Sequence, residues 1–488
     1  MRFIGNAPVD GEVRAIASGA LATGEAVIVN ANGTVSLVAG ADTGAGTPAT
    51  VDTTSDANKD SCSVYDAASG KIVIAYQKDA GGYSGRAIVG TISGTNISFG
   101  SVVTFTTNEV GKIAITYDSN AEKVFIAYQD KSNSNYVTGV VGTVSGTSIS
   151  FGTPAIPNSS GSSEISVDFD SNSNKILLAY RQGNAFGIAE AITISGTSFS
   201  SGSASTFNSG NVKGVDTAFS TSANRFVIVY TDSDQSNQGR YIVATISGEN
   251  VVYGTEGDAS NVASNYTNVA YDSGQDKFLF VFRDEDASGD PAKARVGTLS
   301  GTTVSWGSFV NFTSAPNDYL NSVYNSVDGT MFVSYADESG NKYPKFQIGT
   351  ISGTSITFGG EVVIQAVESY SGAIADSMFM AYDSVNNKVV VPYVDSTGGS
   401  PGNLKAAVLQ GASTNLTSEN FIGFANSGYA DGQSAAINST CMVDSNQTSL
   451  TAGQTYYVQT SGALGTTPGD PSVVAGTAIS SKSIIVKG

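Results

Sequence analysis

From Lys112 to Gly152 apolar and polar residues alternate through four short runs, KIAITYD, KVFIAYQ, YVTGVVGTVS and SISFG, separated by an Asp-Ser-Asn turn, an acidic loop and a Ser-Gly pair. A period of two marks a strand with one face buried, and runs this short predict strands. The phrase returns along the chain. TISGTNISFG, TVSGTSISFG, TISGTSFSSG, TISGENVVYG, TLSGTTVSWG and TISGTSITFG place turn glycines at Gly94, Gly146, Gly196, Gly248, Gly301 and Gly353, each 50 to 53 residues after the last. A two-residue hairpin between twisted strands needs positive φ at its central residues, which glycine adopts without steric cost.

Two further markers keep this register. An aromatic that ends one strand falls at Tyr65, Tyr117, Phe169, Phe219, Tyr271, Tyr324 and Tyr382. Eleven residues later another closes the next strand, at Tyr76, Tyr128, Tyr180, Tyr230, Phe282, Tyr335 and Tyr393. They count seven copies where the hairpin counts six. Self-similarity at this period signals a repeat architecture. Four antiparallel strands per copy, repeated radially, predict a seven-bladed β-propeller over residues 48–412, an arrangement without long bare sheet edges. The seventh copy has KVVVPYVD and KAAVLQ but no Ser-Gly hairpin. Its outer strand is therefore expected from ahead of the first copy, near Thr50 to Thr54, so that the chain's ends close the ring.

Residues 1–47 and 413–488 do not match the repeat. ALATGEAVIVNANGTVSLV reads as a hairpin through Asn-Gly, and the last 39 residues as three or four short strands with Gly and Pro turns. Neither piece can bury a core alone, so together they predict a small β-barrel or sandwich interrupted by the propeller.

Composition narrows the chemistry. With 56 Gly and only 14% charged residues the chain lacks the runs from which helices are built, which makes the fold class all-β. Lys plus Arg is 24 against 42 Asp plus Glu, a net charge of −18 that repels nucleic acid and anionic membrane surfaces. There is no histidine, so Ser-His and Cys-His catalysis and histidine-bearing zinc or haem sites are excluded. Cys62 and Cys441 are too few to staple such a chain. No stretch reads as a signal peptide or a membrane span, so the expectation is synthesis in a cytoplasm without a leader and no membrane insertion.

The stretches ALATGEAVIVNANGTVSLV, ENFIGFANSGYADGQSAAI and LTAGQTYYVQTSGALGTTPGDPSVVAGTAISSKSIIVKG resemble a module of structural proteins of tailed bacteriophages, especially marine ones. The pattern YDxxxxKVxIAYxD followed by GTxSGTSIxFG likewise resembles repeats of large phage fibre and appendage proteins. The resemblance implies a non-enzymatic component of the virion surface, a head decoration, knob or fibre. Its implied partners are other virion proteins, further copies of itself on the particle and host surface glycans. A purely structural capsid- or connector-stabilising role and a sialidase-like carbohydrate-active enzyme are the alternatives.

Candidate sites follow from equivalent positions. The loop after the third marker carries Asp79, Asp130, Asp232, Asp284, Asp337 and Asp395, with Gln182 breaking the series. A carboxylate ring could hold cations or sugar hydroxyls, but Asp at a strand end more often satisfies the N–H groups of its own turn. Asp284, Asp286 and Ser288 open a D-x-D-x-S-G calcium-loop pattern, yet the twelfth position is Arg295 where a bidentate Glu is required, so no cofactor is expected. Tyr83, Tyr136, Phe186, Tyr241 and Tyr343 stand near the start of each third strand, where they could stack on sugars or pack between blades. Trp306 replaces Phe99, Phe151 and Phe358 of sister copies and reads as core.

Overall fold

The computed structural model describes residues 12–52, 58–78, 82–183, 185–338, 342–366, 378–395, 402–469 and 471–487. The fold is all-β: one 3-10 turn, Ser233–Gln235, is the sole helical element among the described residues. Two units separate, Ala45–Gln410 and a second made of Met1–Gly44 with Gly411–Gly488.

Within Ala45–Gln410 each repeat pairs a first strand with a second, the second with a third, and the third with a two-part fourth, all antiparallel. In the second repeat the first three are Val103–Asp118, Lys123–Asp130 and Tyr136–Ser145. Val103–Asp118 also chains two repeats together. Its beginning lies beside the third strand of the first repeat, with Val103 opposite Ala87, and its end beside the second strand of its own repeat, with Asp118 opposite Lys123. Ala155–Asp170, Gly257–Asp272 and Val310–Asn325 link their neighbours the same way.

Side chains hold the turns between first and second strands. Asp66, Asp118, Asp170, Ser220, Asp272, Asn325 and Asp383 each accept from the backbone N–H three residues on. This is the side-chain turn for which short polar residues are selected. The next residue, Gly70, Glu122, Asn174, Asn224, Asp276, Gly329 or Asn387, has positive φ and turns the chain into the second strand. In the Ser-Gly hairpins only the glycine has positive φ, from 60° to 62°. The hairpin is therefore of the II′ kind, and the requirement expected at both central residues holds at the first alone.

A second glycine series joins neighbouring repeats. A methyl group added at Gly100, Gly152, Gly202 or Gly307 would overlap the hairpin carbonyl of the following repeat, at Thr147, Thr197, Glu249 and Thr354 respectively, and one at Gly254 would crowd Thr302. Gly46, ahead of the first repeat, meets Thr95 of the first repeat identically. The seventh repeat explains why. Its third strand, Asn403–Gln410, pairs with Ala49–Thr50, Thr50 opposite Lys405. The Gly46 and Val51 N–H groups donate to the Val408 and Leu404 carbonyls. The pairing thus falls at the start of the expected window, Thr53 and Thr54 lying outside the described residues. Val51, Ile72, Ile74 and Tyr76 share one apolar cluster with Val390, Leu404, Ala406 and Val408, so the seventh repeat packs on the first.

In the other unit the two ends of the chain interleave. One sheet runs Glu12–Ile16, Ser434–Asn438, Phe421–Ala425, Ala26–Val29, Val35–Leu37, and a second contains Val443–Asp444, Ile484–Val486, Val473–Ala478, Thr455–Val458 and Leu464–Gly465. The two sheets share a cluster of Ile28, Phe424, Tyr456, Val458, Ala475 and Ile484.

Candidate functional site: a cavity among the first strands

Residues from the first strands of all seven repeats line one cavity of about 970 Å³. Apart from a bridge between Cys62 and Phe379, the lining stretch of each strand has no ladder partner on the cavity side, and an edge strand leaves N–H and C=O groups without such partners. In part of the wall a side chain from the preceding repeat supplies the partner. Asp168 accepts from Phe219 N–H at 2.7 Å, Asp216 from Val269 N–H at 2.9 Å, and the Asn321 carbonyl oxygen from Met380 N–H at 2.8 Å. Asp216 also accepts from Ser166 Oγ at 3.0 Å and Asn268 Nδ2 at 2.7 Å, and Ser322 Oγ donates to Asn268 Oδ1 at 2.5 Å.

The wall is unequal from repeat to repeat. At the position of Ser166, strand pairing with the second strands aligns Cys62, Ala114, Ser166, Asp216, Asn268 and Asn321, and a bridge to Cys62 sets Phe379 of the seventh repeat beside them. Repeats three to six are polar there, and seven, one and two are not. Enclosure by protein pushes the Asp168 carboxyl up to about 7, with the neighbouring Asp216 and Asp170 charges adding to the rise and the Phe169 and Phe219 N–H groups opposing it. Enclosure raises Asp216 to about 6 against the pull of its donors. Both residues are half-buried and belong to the cavity's lining.

One end of the cavity carries an aromatic collar made by the second marker: Tyr65, Tyr117, Phe169, Phe219, Tyr271, Tyr324 and Tyr382. Three of its tyrosine hydroxyls reach the turn of the preceding repeat. Tyr117 accepts from Ala68 N–H at 3.2 Å, Tyr382 from Val327 N–H at 3.3 Å, and Tyr271 donates to Ser222 Oγ at 3.2 Å. Tyr65 faces Asp383 of the seventh repeat without a hydrogen bond of good geometry, and burial together with that charge pushes its phenol up to about 12. At the other end Glu164, Tyr266 and Tyr319 stand at positive φ of 50° to 57°, beside register shifts in the first strands. A non-glycine residue held there costs of order 1–3 kcal/mol, and such strain clusters at functional sites. The Tyr266 and Tyr319 rings meet edge to face at 5.6 Å, and the Arg283 guanidinium lies 4.8 Å above Tyr266.

The residues singled out in the sequence lie elsewhere, at the junctions of second and third strands. Asp130, Asp232, Asp284 and Asp395 are buried. Asp130 accepts from Asn108 Nδ2 at 2.8 Å, and Asp232 from Asp234 N–H at 2.9 Å as the cap of the 3-10 turn. Asp337 pairs with Lys345 at 2.5 Å. Asp79 lies outside the described residues, and pairing assigns the first repeat's equivalent of Asp130 to Lys78, opposite Ser84 as Asp130 is opposite Tyr136. Lys78 is fully buried, 3.9 Å from Asp52.

In the candidate calcium loop the Asp284 carboxylate accepts from Asp286 and Ala287 N–H and pairs with Lys293 at 2.5 Å. Asp286 accepts from Ala263 N–H, and Ser288 is exposed. Among the described residues no three acidic or thiol side chains converge as a metal cluster.

Tyr136 and Phe186 begin their third strands, and Tyr343 holds the same place opposite Asp337. Tyr83 stands one residue earlier. Tyr241 does not belong with them: it is three residues further in, buried, bonded through its hydroxyl to the Val304 backbone and packed on Trp306. Trp306 joins that cluster as expected of a core residue.

No protein-family model matches the chain, and no curated protein does. Among solved structures it is similar to a protein of unknown function from Dyadobacter fermentans, with 12% identity, a TM-score of 0.44, and coverage of 62% of this chain and 94% of that one. A protein from Lactobacillus plantarum aligns at 8% identity with a TM-score of 0.43, covering 60% and 83%.

Proposed function

We propose that Ala45–Gln410 is a closed seven-bladed β-propeller, that the terminal unit is a small β-sandwich mount, and that the chain is a non-enzymatic surface protein of a tailed-phage virion that attaches the particle to host glycans. The observation that carries the reading is the joint between the seventh and first repeats. Gly46 approaches Thr95 as Gly100 approaches Thr147. Asp52 accepts from the buried Tyr76 hydroxyl at 2.9 Å, as Gln365 of the sixth repeat accepts from Tyr393 of the seventh. A joint built like the interior ones supports a ring without a seam.

Interleaving of the chain's two ends in one sheet supports the mount, because a ring inserted into a second module must leave where it entered. A non-enzymatic role is supported by the loop carboxylates, which recur singly in five of the repeats, four of them engaged by neighbouring amide groups or lysines. Many copies on a particle would turn weak single contacts into retention through avidity. Binding of the full chain, coupled to beads at high density, to host cells and immobilised glycans tests this. Retention is expected. No retention at any density leaves the capsid-stabilising reading, under which removing the protein lowers particle stability and leaves adsorption unchanged.

A further inference from the structure

We propose that the ligand site is the central cavity, entered by the terminal unit of a neutral saccharide, and that the cavity excludes acidic sugars. This deepens the attachment reading above and rests on it. A neutral sugar ring presents hydroxyls that donate and accept, together with apolar C–H faces. The cavity presents the complement of each. The unpaired edges of the first strands offer both N–H donors and C=O acceptors, and Asp168 in the lining, each of whose oxygens takes one backbone donor, offers further acceptors. The collar from Tyr65 to Tyr382 offers aromatic surface, and repeats seven, one and two add an apolar side through Phe379, Val64 and Ile115.

Charge sets the exclusion. Lys112 and Lys213 flank Glu164 at one end, while Asp168 and Asp216 place two carboxylates further along the wall, so a uronate or sialate reaching them would meet like charge in an enclosed site once both are ionised. The volume falls within the range of roughly 300–1,000 Å³ usual for small-molecule sites. At the position of Ser166 polar side chains come from repeats three to six alone, which gives the site one orientation in an otherwise repetitive ring, as recognition of an asymmetric sugar requires.

The test uses the full chain and a panel of free neutral and sialylated or uronate-bearing oligosaccharides, read by saturation-transfer NMR and calorimetry. Ile115→Trp and Val323→Trp narrow the cavity from two sides of the ring, so that one folded variant suffices, folding being checked by the unfolding midpoint. Tyr136→Ala and Tyr343→Ala alter the opposite candidate ring of loops. The expected result is neutral-sugar binding weakened at least tenfold by the cavity variants, unchanged by the loop variants, and absent for acidic sugars. Binding lost in the loop variants and kept in the cavity variants overturns the cavity proposal and leaves glycan attachment standing. Acidic sugars binding as tightly as neutral ones overturn it too. Failure of every sugar to bind the parent, free or bead-coupled, overturns both.

Discussion

Asp216 accepts from Ser166 in the third repeat and from Asn268 and Val269 in the fifth, so one carboxylate ties three repeats together. Asp216→Ala leaves those donors without an acceptor in an enclosed place and is expected to cost about 1–3 kcal/mol in denaturant unfolding. Asp286→Ala, at an exposed loop, should stay within about 0.5 kcal/mol. The pH dependence has a definite sign. An ordinary carboxyl in the unfolded chain titrates near 3.9, roughly, whereas Asp216 and Asp168 are raised to about 6 and about 7 in the fold. Between those values the folded state holds more protons, so their stabilisation is complete below about pH 4 and is lost as pH rises to about 7. Asp168→Asn cannot titrate. Its stability deficit against the parent, measured as the difference in unfolding midpoint from pH 4 to pH 7, should therefore be largest at pH 4 and shrink as pH rises. A deficit that grows with pH would contradict the raised carboxyl. None of this was legible in the sequence, because Asp216 and Asp168 occupy the first and third positions of an ordinary-looking strand whose other copies hold Cys, Ala, Ser, Asn or Phe at the one and Val, Thr or Ala at the other.

At the scale of the element, the motif SGTxxxFG contains two glycines with different physical reasons. The first, as in Gly146 with φ of +62° and no atom near its missing methyl, is required by backbone torsion. The second, as in Gly152, is required because the Thr197 carbonyl of the next repeat occupies the methyl's place. Gly146→Ala is expected to cost about 1–3 kcal/mol through torsional strain alone. Gly152→Ala should cost more, since two backbones must part and the joint between repeats opens. Gly360→Ala, with ordinary φ and open space, should be neutral or stabilise by up to about 1 kcal/mol. Equal losses at all three positions, measured by denaturant titration, would remove the distinction.

The periodicity displayed the strands, the hairpins and the count of copies because every copy repeats the same turn chemistry. Register at the second-to-third junction was not displayed. Asp79 and Tyr241 were singled out by residue type, yet hydrogen bonding assigns Lys78 to the first place and sets Tyr241 three residues beyond the second. An odd offset turns a side chain to the other face of a sheet, which is why Tyr241 is packed and not displayed.

For the whole molecule, the proposed wheel depends on one short strand. Thr50 lies opposite Lys405, 355 positions away, and Lys405 Nζ donates to Thr50 Oγ1 at 2.9 Å. Val51 N–H bonds to the Leu404 carbonyl, which makes Thr50 and Lys405 a non-hydrogen-bonded pair, where Cα atoms stand about 4.5 Å apart and a disulfide can form. The pairing also predicts that the strand contributes at a distance: Asp52→Asn should lower the unfolding midpoint through the buried Tyr76, whose phenol is held protonated by burial and by that carboxylate.

The most direct measurement is mild oxidation of Thr50→Cys/Lys405→Cys, with the exposed Cys441 changed to Ser, followed by peptide mapping and thermal unfolding. A wheel closed by this strand predicts one intramolecular disulfide between positions 50 and 405 and a stabilisation of about 2–4 kcal/mol. Thiols that remain free, or that link one molecule to another, would show that the seventh repeat is not completed from ahead of the first.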